Sequence, residues 1–341
     1  MMIKKLSNYN QQAFTLVELI VSLAIGLVLF AGVMTIFTTM KVTSKSTSSY
    51  GELQENGRFA LNLLSEDLMR QNFWGDYTGV FRQDKIQLAP GLPAVGNECA
   101  GDGLNNGTFP NGSDNHFRTL WGDTVDNANQ LGCVNNANLD SDIIQIKHVI
   151  TRPLLNPPGN ANFTPITNAP AGNFHIVTNV SEGIIFQSGA VPAISNSSVW
   201  QYQHHVYYVR NDAVGNRNVP VLMMGQLTNN MVFSPVVDGI EMIRFMYGVD
   251  LTTNPEDPGY GSVDTFISAD NMTPRLWDNE GGVRILAVKI YVLARNIEPD
   301  LQYDNTNTYQ LGDLAFTPDD NYRRLLFSST VPLFNAGVDS W

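Results

Sequence analysis

The chain begins with a polar segment that gives way to an almost wholly apolar one. Residues 1–13 carry Lys4 and Lys5 as their charged side chains, and residues 14–40 contain a single ionisable side chain, Glu18. An apolar segment of this length is sufficient to cross a hydrocarbon core of about 30 Å as a helix. The pattern therefore predicts a membrane-spanning helix that starts near residue 14.

An amphipathic pattern follows between residues 41 and 74. Apolar residues recur at intervals of three and four positions, and most charged residues fall on other faces of the helix. The apolar positions are Leu53, Ala60, Leu61, Leu64, Leu68 and Met69, and the charged residues that lie largely on other faces include Glu55, Arg58, Glu66 and Arg70. No proline interrupts residues 41–73, so we expect one continuous helix of about 90 Å from Phe14 to Phe73.

Beyond Trp74 the pattern becomes typical of strands. Residues 75–139 are rich in Asn, Gly and Asp, which predicts long loops. The strand candidates are Asp142–Ile150, Gly183–Gln187, Val199–Val209, Val219–Gln226, Ile240–Val249, Val283–Ala294 and Arg323–Val331. The sequence therefore predicts an α+β protein, with a long N-terminal helix followed by a large, mainly antiparallel β-sheet head. We expect a leader at 1–13, a transmembrane and assembly half of the helix at 14–40, an amphipathic half at 41–74 and a globular head at 75–341.

Glu18 is the informative residue of the apolar segment. A carboxylate inside a membrane helix costs a few kcal/mol and requires a partner, and we identify none within the segment. Cleavage between Ala13 and Phe14 would create a cationic amine on Phe14. A helix cannot easily bring its own terminal amine to Glu18, whereas a neighbouring subunit can supply one. The arrangement predicts lateral assembly of many such helices.

Three other interpretations of residues 14–40 fit less well. A cleaved secretory signal has a shorter apolar core, followed by a small-residue cleavage site. A generic membrane anchor does not account for Glu18. A buried core helix is usually shorter than this segment.

The segment Ala13-Phe14-Thr15-Leu16-Val17-Glu18-Leu19-Ile20 resembles the class III signal of type IV prepilins and pseudopilins. The resemblance implies cleavage between Ala13 and Phe14 by a membrane-embedded prepilin peptidase, N-methylation of Phe14 and a docking role for Glu18. One position departs from the family pattern, because Gly usually precedes the cleaved bond and this chain has Ala13. Ala is also small, so we expect processing to occur.

Four segments of the head resemble recurring blocks of PilW-type minor pilins. They are Asp142–His148, Val237–Asp250, Val283–Asn296 and Tyr322–Leu333. The resemblance implies a minor pilin at the pilus tip that primes assembly with other minor pilins and the major pilin. It also implies display of a PilY-type tip adhesin, and hence roles in adhesion and twitching motility. Before assembly, one helix would hold the chain in the inner membrane with its head in the periplasm; the assembled subunit would lie at the pilus tip on the cell surface.

The net charge of −12 disfavours nucleic acid as a partner, since phosphate backbones are repelled by an acidic surface. The two cysteines, Cys99 and Cys133, are too few for a four-ligand zinc site. In an exported chain a disulfide between them is favoured, with two unpaired thiols as the alternative.

The sequence predicts no catalytic residue, no metal site and no cofactor. We find no nucleophile elbow, phosphate-binding loop, dinucleotide fingerprint or zinc-protease motif, so an enzyme is not expected. His204 and His205 are adjacent in a strand, so one ring should point inward and the other outward. Calcium is the alternative cofactor, because oxygen side chains are frequent between residues 84 and 142, although EF-hand spacing is absent. The candidates are Asp102, Asn105, Asn106, Asp114, Asn115, Asp123, Asp126 and Asn127.

Two further functions remain open. The long loops at 75–140 and 150–180 would suit a tip adhesin or ligand-binding pilin that recognises a glycan or a protein. A type II secretion pseudopilin shares the architecture, but the PilW-like blocks and the large head favour a pilus subunit.

Overall fold

A computed structural model describes residues 14–79, 84–100, 106–110, 117–156 and 164–335. The helix α1 (Leu16–Met69) is continuous over 54 residues, and a short helix α2 (Pro274–Trp277) lies late in the chain. The described residues also form the strands β1 (Ile86–Leu88), β2 (Leu120–Thr124), β3 (Asp142–Val149), β4 (Asn168–Ala169), β5 (His175–Thr178), β6 (Gly183–Phe186), β7 (Gly189–Ala190), β8 (Ser198–Val214), β9 (Arg217–Leu227), β10 (Met231–Asp238), β11 (Ile240–Asp250), β12 (Thr265–Ser268), β13 (Arg284–Arg295), β14 (Tyr309–Leu311), β15 (Leu314–Phe316) and β16 (Arg324–Pro332).

Most strands belong to two sheets. The larger has eight strands in the order β1-β6-β5-β8-β3-β2, with β9 paired to β8 and β10 paired to β9. The smaller is antiparallel in the order β12-β11-β13-β16. Among the described strand pairs only β1 with β6 is parallel. The predicted fold class, a long N-terminal helix followed by a mainly antiparallel sheet, is confirmed.

All seven predicted strand segments are present, with ends shifted by a few residues. The loop prediction for residues 75–139 is wrong for two short stretches, because β1 and β2 lie there. Neither stretch is long enough to show a period of its own. β2 exists because it pairs with the buried strand β3, from Leu120 opposite Ile146 to Thr124 opposite Asp142.

The second half of α1 packs against both sheets. The buried positions of α1 are Leu53, Gly57, Ala60, Leu64, Asp67 and Leu68. Four of the six predicted apolar positions are among them, whereas Leu61 is half-buried and Met69 is exposed. This face shares one core cluster with the larger sheet, through residues such as Ile144 and Tyr207, and with the smaller sheet, through residues such as Ile243 and Ile290. A second cluster covers the opposite face of the larger sheet. Strand β3 is therefore buried along its whole length.

Side chains from the segment before β3 and from its first residue complete the edge of β11 that β12 does not reach. The Ser141 hydroxyl accepts from the Ile243 N–H at 3.0 Å, and Asp142 Oδ2 accepts from the Phe245 N–H at 2.7 Å. Asn138 Nδ2 donates to the Glu241 carbonyl at 2.6 Å. These bonds satisfy the buried backbone groups of β11 and connect the two sheets without a continuous strand ladder.

Gly57 marks the closest approach of α1 to the smaller sheet. A Cβ atom at this position would overlap the Phe327 ring of β16, whereas a Cβ at Gly51 would meet no atom within 4 Å. Both glycines lie inside the helix, where glycine normally costs up to about 1 kcal/mol relative to alanine. Only Gly57 has a packing reason to be present.

We predict that Gly57→Ala destabilises the head, because the half-buried Phe327 ring, which packs against the core, must move, at a cost of about 1–3 kcal/mol. The measurement is the midpoint of urea unfolding of the detergent-solubilised full chain, with tryptophan fluorescence as the signal. Gly51→Ala is the matched control and should leave the midpoint unchanged or slightly raised. Equal midpoints for the two variants would contradict this assignment.

Candidate assembly site

The N-terminus of α1 is closed by Thr15 and Glu18. The Thr15 carbonyl accepts the first helical bond, from the Leu19 N–H at 3.2 Å, and the Thr15 hydroxyl accepts from the Glu18 N–H at 3.3 Å. In return, Glu18 Oε2 accepts from the Thr15 N–H at 3.0 Å. This reciprocal pair is a capping box, in which a Thr and a Glu three residues later satisfy two helix N–H groups that would otherwise lack acceptors.

The expectation that Glu18 has no partner within its own segment is therefore wrong. The Thr15 hydroxyl also donates to Glu18 Oε2, at 2.9 Å. Both bonds from Thr15 end on the same oxygen, and in the part of the chain that the structure describes no bond to Oε1 is present. Glu18 can thus close its own helix while Oε1 remains open to a donor from another molecule.

The apolar half of α1 is exposed along its length. Leu16 is 76% exposed, Leu27 60% and Phe37 63%. Of the helices described, α1 is the one long and apolar enough to cross a membrane. Exposed apolar surface of this extent requires lipid or other apolar helices as its surroundings. Phe14 is described and exposed, whereas Ala13 and the leader lie outside the described residues.

In the head, the four sequence blocks are joined by buried ion pairs. Arg244 Nη1 lies 2.8 Å from Asp142 Oδ1, and Arg284 Nη2 lies 2.7 Å from Asp250 Oδ2. Glu241 Oε1 accepts from Arg295 at 3.1 Å and from Arg324 at 2.8 Å. Removing one member of a buried pair leaves the other charge buried without a partner, at a cost of several kcal/mol. Each block therefore depends on charges supplied by another block.

The structure joins Cys99 to Cys133 in a disulfide, the favoured one of the two alternatives. Both residues are buried, and their Cα atoms lie 5.2 Å apart. The Cys99 carbonyl accepts from Gln145 Nε2 of β3 at 3.1 Å. The disulfide thus holds the loop segment around Cys99 against the larger sheet.

Lys147 and His204 are buried and contact Asn106 and Thr108, which follow Cys99 in the chain. Lys147 Nζ donates to the Asn106 carbonyl at 3.4 Å, to Asn106 Oδ1 at 3.3 Å and to the Arg118 carbonyl at 2.8 Å. The His204 ring lies between Thr108 Oγ1, at 3.2 Å, and Gln145 Oε1, at 3.3 Å. Burial lowers the pKa of Lys147 to about 7 and holds the pKa of His204 well below its usual value.

A second buried polar cluster joins α1 to the larger sheet. Asp67 Oδ1 lies 2.9 Å from His148 Nε2, and Asp67 Oδ2 lies 2.7 Å from His205 Nδ1. Tyr207 Oη donates to Asp67 Oδ2 at 3.0 Å. Burial would raise the pKa of Asp67, but His205 and His148 outweigh it and hold the pKa well below its usual range. The carboxylate is therefore ionised.

The expectation that one ring of His204 and His205 points outward is wrong. The two rings do point to opposite faces, but both faces of β8 are covered and both residues are buried. Sequence reasoning also missed the cluster of Asp67, His148 and His205. Within the described residues it is the one group of three His, Cys, Asp or Glu side chains close enough to hold a metal ion.

The calcium candidates do not converge in the described residues. Asp102, Asn105, Asp114 and Asn115 lie outside the described residues, and Asn106 contacts Lys147. Asp123 accepts from the Thr124 N–H and from Gln130, and Asn127 accepts from the Asn129 N–H. These bonds are local, as in Asx-turns.

Two family models match the chain. The model of type IV pilus-assembly protein W matches residues 206–335, and the model of the prokaryotic N-terminal methylation motif matches residues 8–34. The first match covers β9 to β16 and three of the four blocks, with Asp142–His148 outside it. No curated protein and no solved structure matches the chain.

We predict that the free energy of unfolding rises with pH between about 7 and 9, because the unfolded chain keeps the Lys147 proton there and the folded chain releases it. The slope contributed by this group is up to about 1.4 kcal/mol per pH unit. Lys147→Met should remove that slope, whatever its effect on absolute stability. Urea unfolding of the solubilised chain across this range measures it.

Lys85→Met is the control for this experiment, because Lys85 is exposed. It should keep the pH dependence of the unsubstituted chain. A slope that persists in Lys147→Met would assign the pH dependence to other groups.

Proposed function

We propose that this chain, which is a type IV pilin of the PilW family, is a minor pilin: a structural subunit that enters the pilus through α1 and acts at the pilus tip. The observation that carries the proposal is the start of α1. There, the exposed apolar half of α1 carries in its first turn a carboxylate, Glu18, that has one oxygen open to a second molecule.

Processing is the first step of the proposal. A prepilin peptidase cleaves between Ala13 and Phe14, and Phe14 is then N-methylated. The position of the helix supports this cut, because α1 begins at Leu16 with Thr15 as its cap. Cleavage after Ala13 leaves the capping box intact and places only Phe14 before it.

Docking is the second step. The new amine of Phe14 in one subunit donates to Glu18 Oε1 of a neighbouring pilin. In apolar surroundings a charged pair of this kind is far stronger than in water. Residues 14–40 form the transmembrane and packing half of the helix, residues 41–74 its amphipathic half, and residues 75–341 the head.

The size of the head supports a position at the pilus tip. We place the subunit in the inner membrane with its head in the periplasm, and then at the pilus tip on the cell surface. A head this large would be difficult to repeat along a closely packed filament, which favours a few copies beside other minor pilins and the major pilin. Priming of assembly and display of a PilY-type tip adhesin fit this position, as do adhesion and twitching motility.

A structural role also accounts for the buried polar groups. The acidic and basic side chains of the four blocks pair with one another inside the head. We therefore propose no catalysis and, because the net charge is −12, no nucleic-acid partner.

We predict that Glu18→Gln lowers the amount of chain in sheared pili by at least about tenfold, since one lost ion pair in an apolar medium exceeds 1.4 kcal/mol. Gln also completes a capping box, so this variant removes the charge and retains the helix cap. Glu18→Ala removes both and should be equally depleted, while both variants remain in the membrane fraction. The measurement is an immunoblot of pilus and membrane fractions.

Thr15→Val is the matched control, because it removes the hydroxyl of the cap at a cost of about 1 kcal/mol and leaves the Glu18 charge. It should enter pili at near-normal levels. Normal entry of Glu18→Gln, or depletion of Thr15→Val alone, would show that capping and not charge is the role of Glu18.

We further predict that the mature protein starts at Phe14 and carries one added methyl group on its amine. Intact-mass and N-terminal peptide mass spectrometry of membrane-extracted protein measures both. Ala13→Gly should give the same product. A functional chain that retains residues 1–13 would contradict the proposal, because the docking amine would not exist.

A further inference from the structure

The cluster formed by Asp67, His148 and His205 has the composition of a metal site. One carboxylate and two imidazoles place one ligand atom each within 4.8 Å of one another. The residues come from α1, β3 and β8, and all three are buried. Nitrogen and carboxylate ligands of this kind suit zinc and related divalent ions.

The outer nitrogens of both rings are already occupied. His148 Nδ1 lies 2.9 Å from the Val149 carbonyl, and because a carbonyl only accepts, this nitrogen carries a proton. His205 Nε2 lies 3.0 Å from Gln203 Oε1, which also accepts from Gln226 Nε2 at 3.2 Å. Metal-binding histidines typically donate their second N–H to such an acceptor.

The hydrogen bonds of the outer nitrogens determine whether the inner nitrogens, next to Asp67, carry a proton or a lone pair. In a neutral ring whose outer nitrogen is protonated, the inner nitrogen presents a lone pair. His148 Nε2 and His205 Nδ1 would then both direct lone pairs at the Asp67 carboxylate oxygens, 2.9 and 2.7 Å away. This arrangement is repulsive unless positive charge lies between the groups.

Protons or one metal ion can supply that charge. A divalent ion interacts with both lone pairs and the carboxylate at once. Tetrahedral zinc with bonds of about 2.0–2.2 Å separates its ligand atoms by about 3.3 Å, so the two histidine nitrogens would have to move away from the Asp67 oxygens by about half an ångström.

We propose that Asp67, His148 and His205 bind one divalent transition-metal ion of the zinc type, which fastens the end of α1 to the larger sheet. Tyr207 Oη, 3.0 Å from Asp67 Oδ2, is the fourth group at the site. Because the site is buried and its ligands come from the protein, its role is structural. The proposal does not depend on pilus assembly.

The test uses the detergent-solubilised full chain, stripped with a chelator and titrated with zinc. We expect one zinc per chain by elemental analysis. The melting temperature should rise by about 5–10 °C at zinc levels about 100-fold above Kd. Cobalt in place of zinc should give the visible absorption bands of a tetrahedral nitrogen and oxygen site.

Asp67→Asn and His205→Gln should each weaken zinc binding more than about 100-fold, since losing even an outer-shell partner costs about 10–100-fold. His204→Gln is the matched control: His204 is buried in the same strand, but its ring faces the other side of the sheet, and this variant should bind zinc normally. Because substitutions at Asp67 can unfold the head, the zinc titration of the unsubstituted chain tests the proposed site independently of any variant. No stoichiometric zinc and an unchanged melting temperature there would overturn the proposal, as would full binding by a folded Asp67→Asn variant.

Discussion

Burial of the second half of α1 is the contact on which the head depends. Leu53, Ala60, Leu64 and Leu68 are at most 2% exposed and share one core with residues of both sheets. Each of the three leucines contributes about 1.5–3 kcal/mol when its side chain leaves water. Without the helix, each sheet would expose an apolar face, so the segment that follows the membrane half of α1 is also a structural part of the head.

Polar contacts give this apolar core a unique arrangement. Asp142 anchors Arg244 and also accepts from the Phe245 N–H at the edge of β11, so one carboxylate sets both a charge pair and a strand position. Glu241 joins β13 and β16 through Arg295 and Arg324. A shift of either strand would leave a buried charge without its partner, which is far more costly than a lost apolar contact.

Periodicity explains which parts of the fold were predictable. The apolar face of α1 has a pattern long enough to show its period. The same holds for the predicted strands between β8 and β16. Short strands such as β2 exist only because of their partners, and no local pattern identifies them. The capping box was readable as Thr15 followed by Glu18 three residues later, although the partner was missed. Asp67 also left a signal, as an acidic residue on the same helix face as Leu64 and Leu68; its histidine partners depend on the tertiary fold.

The capping box changes the energetics of a subunit that waits in the bilayer. A bare carboxylate in lipid would be driven strongly into a filament and would leave it only slowly. Because the Thr15 N–H and hydroxyl already solvate Glu18, the waiting state is lower in free energy and proposed docking adds less. A smaller free-energy difference between stored and incorporated subunits would make the proposed incorporation more readily reversible, so a polymer built on such contacts could be dismantled as well as extended.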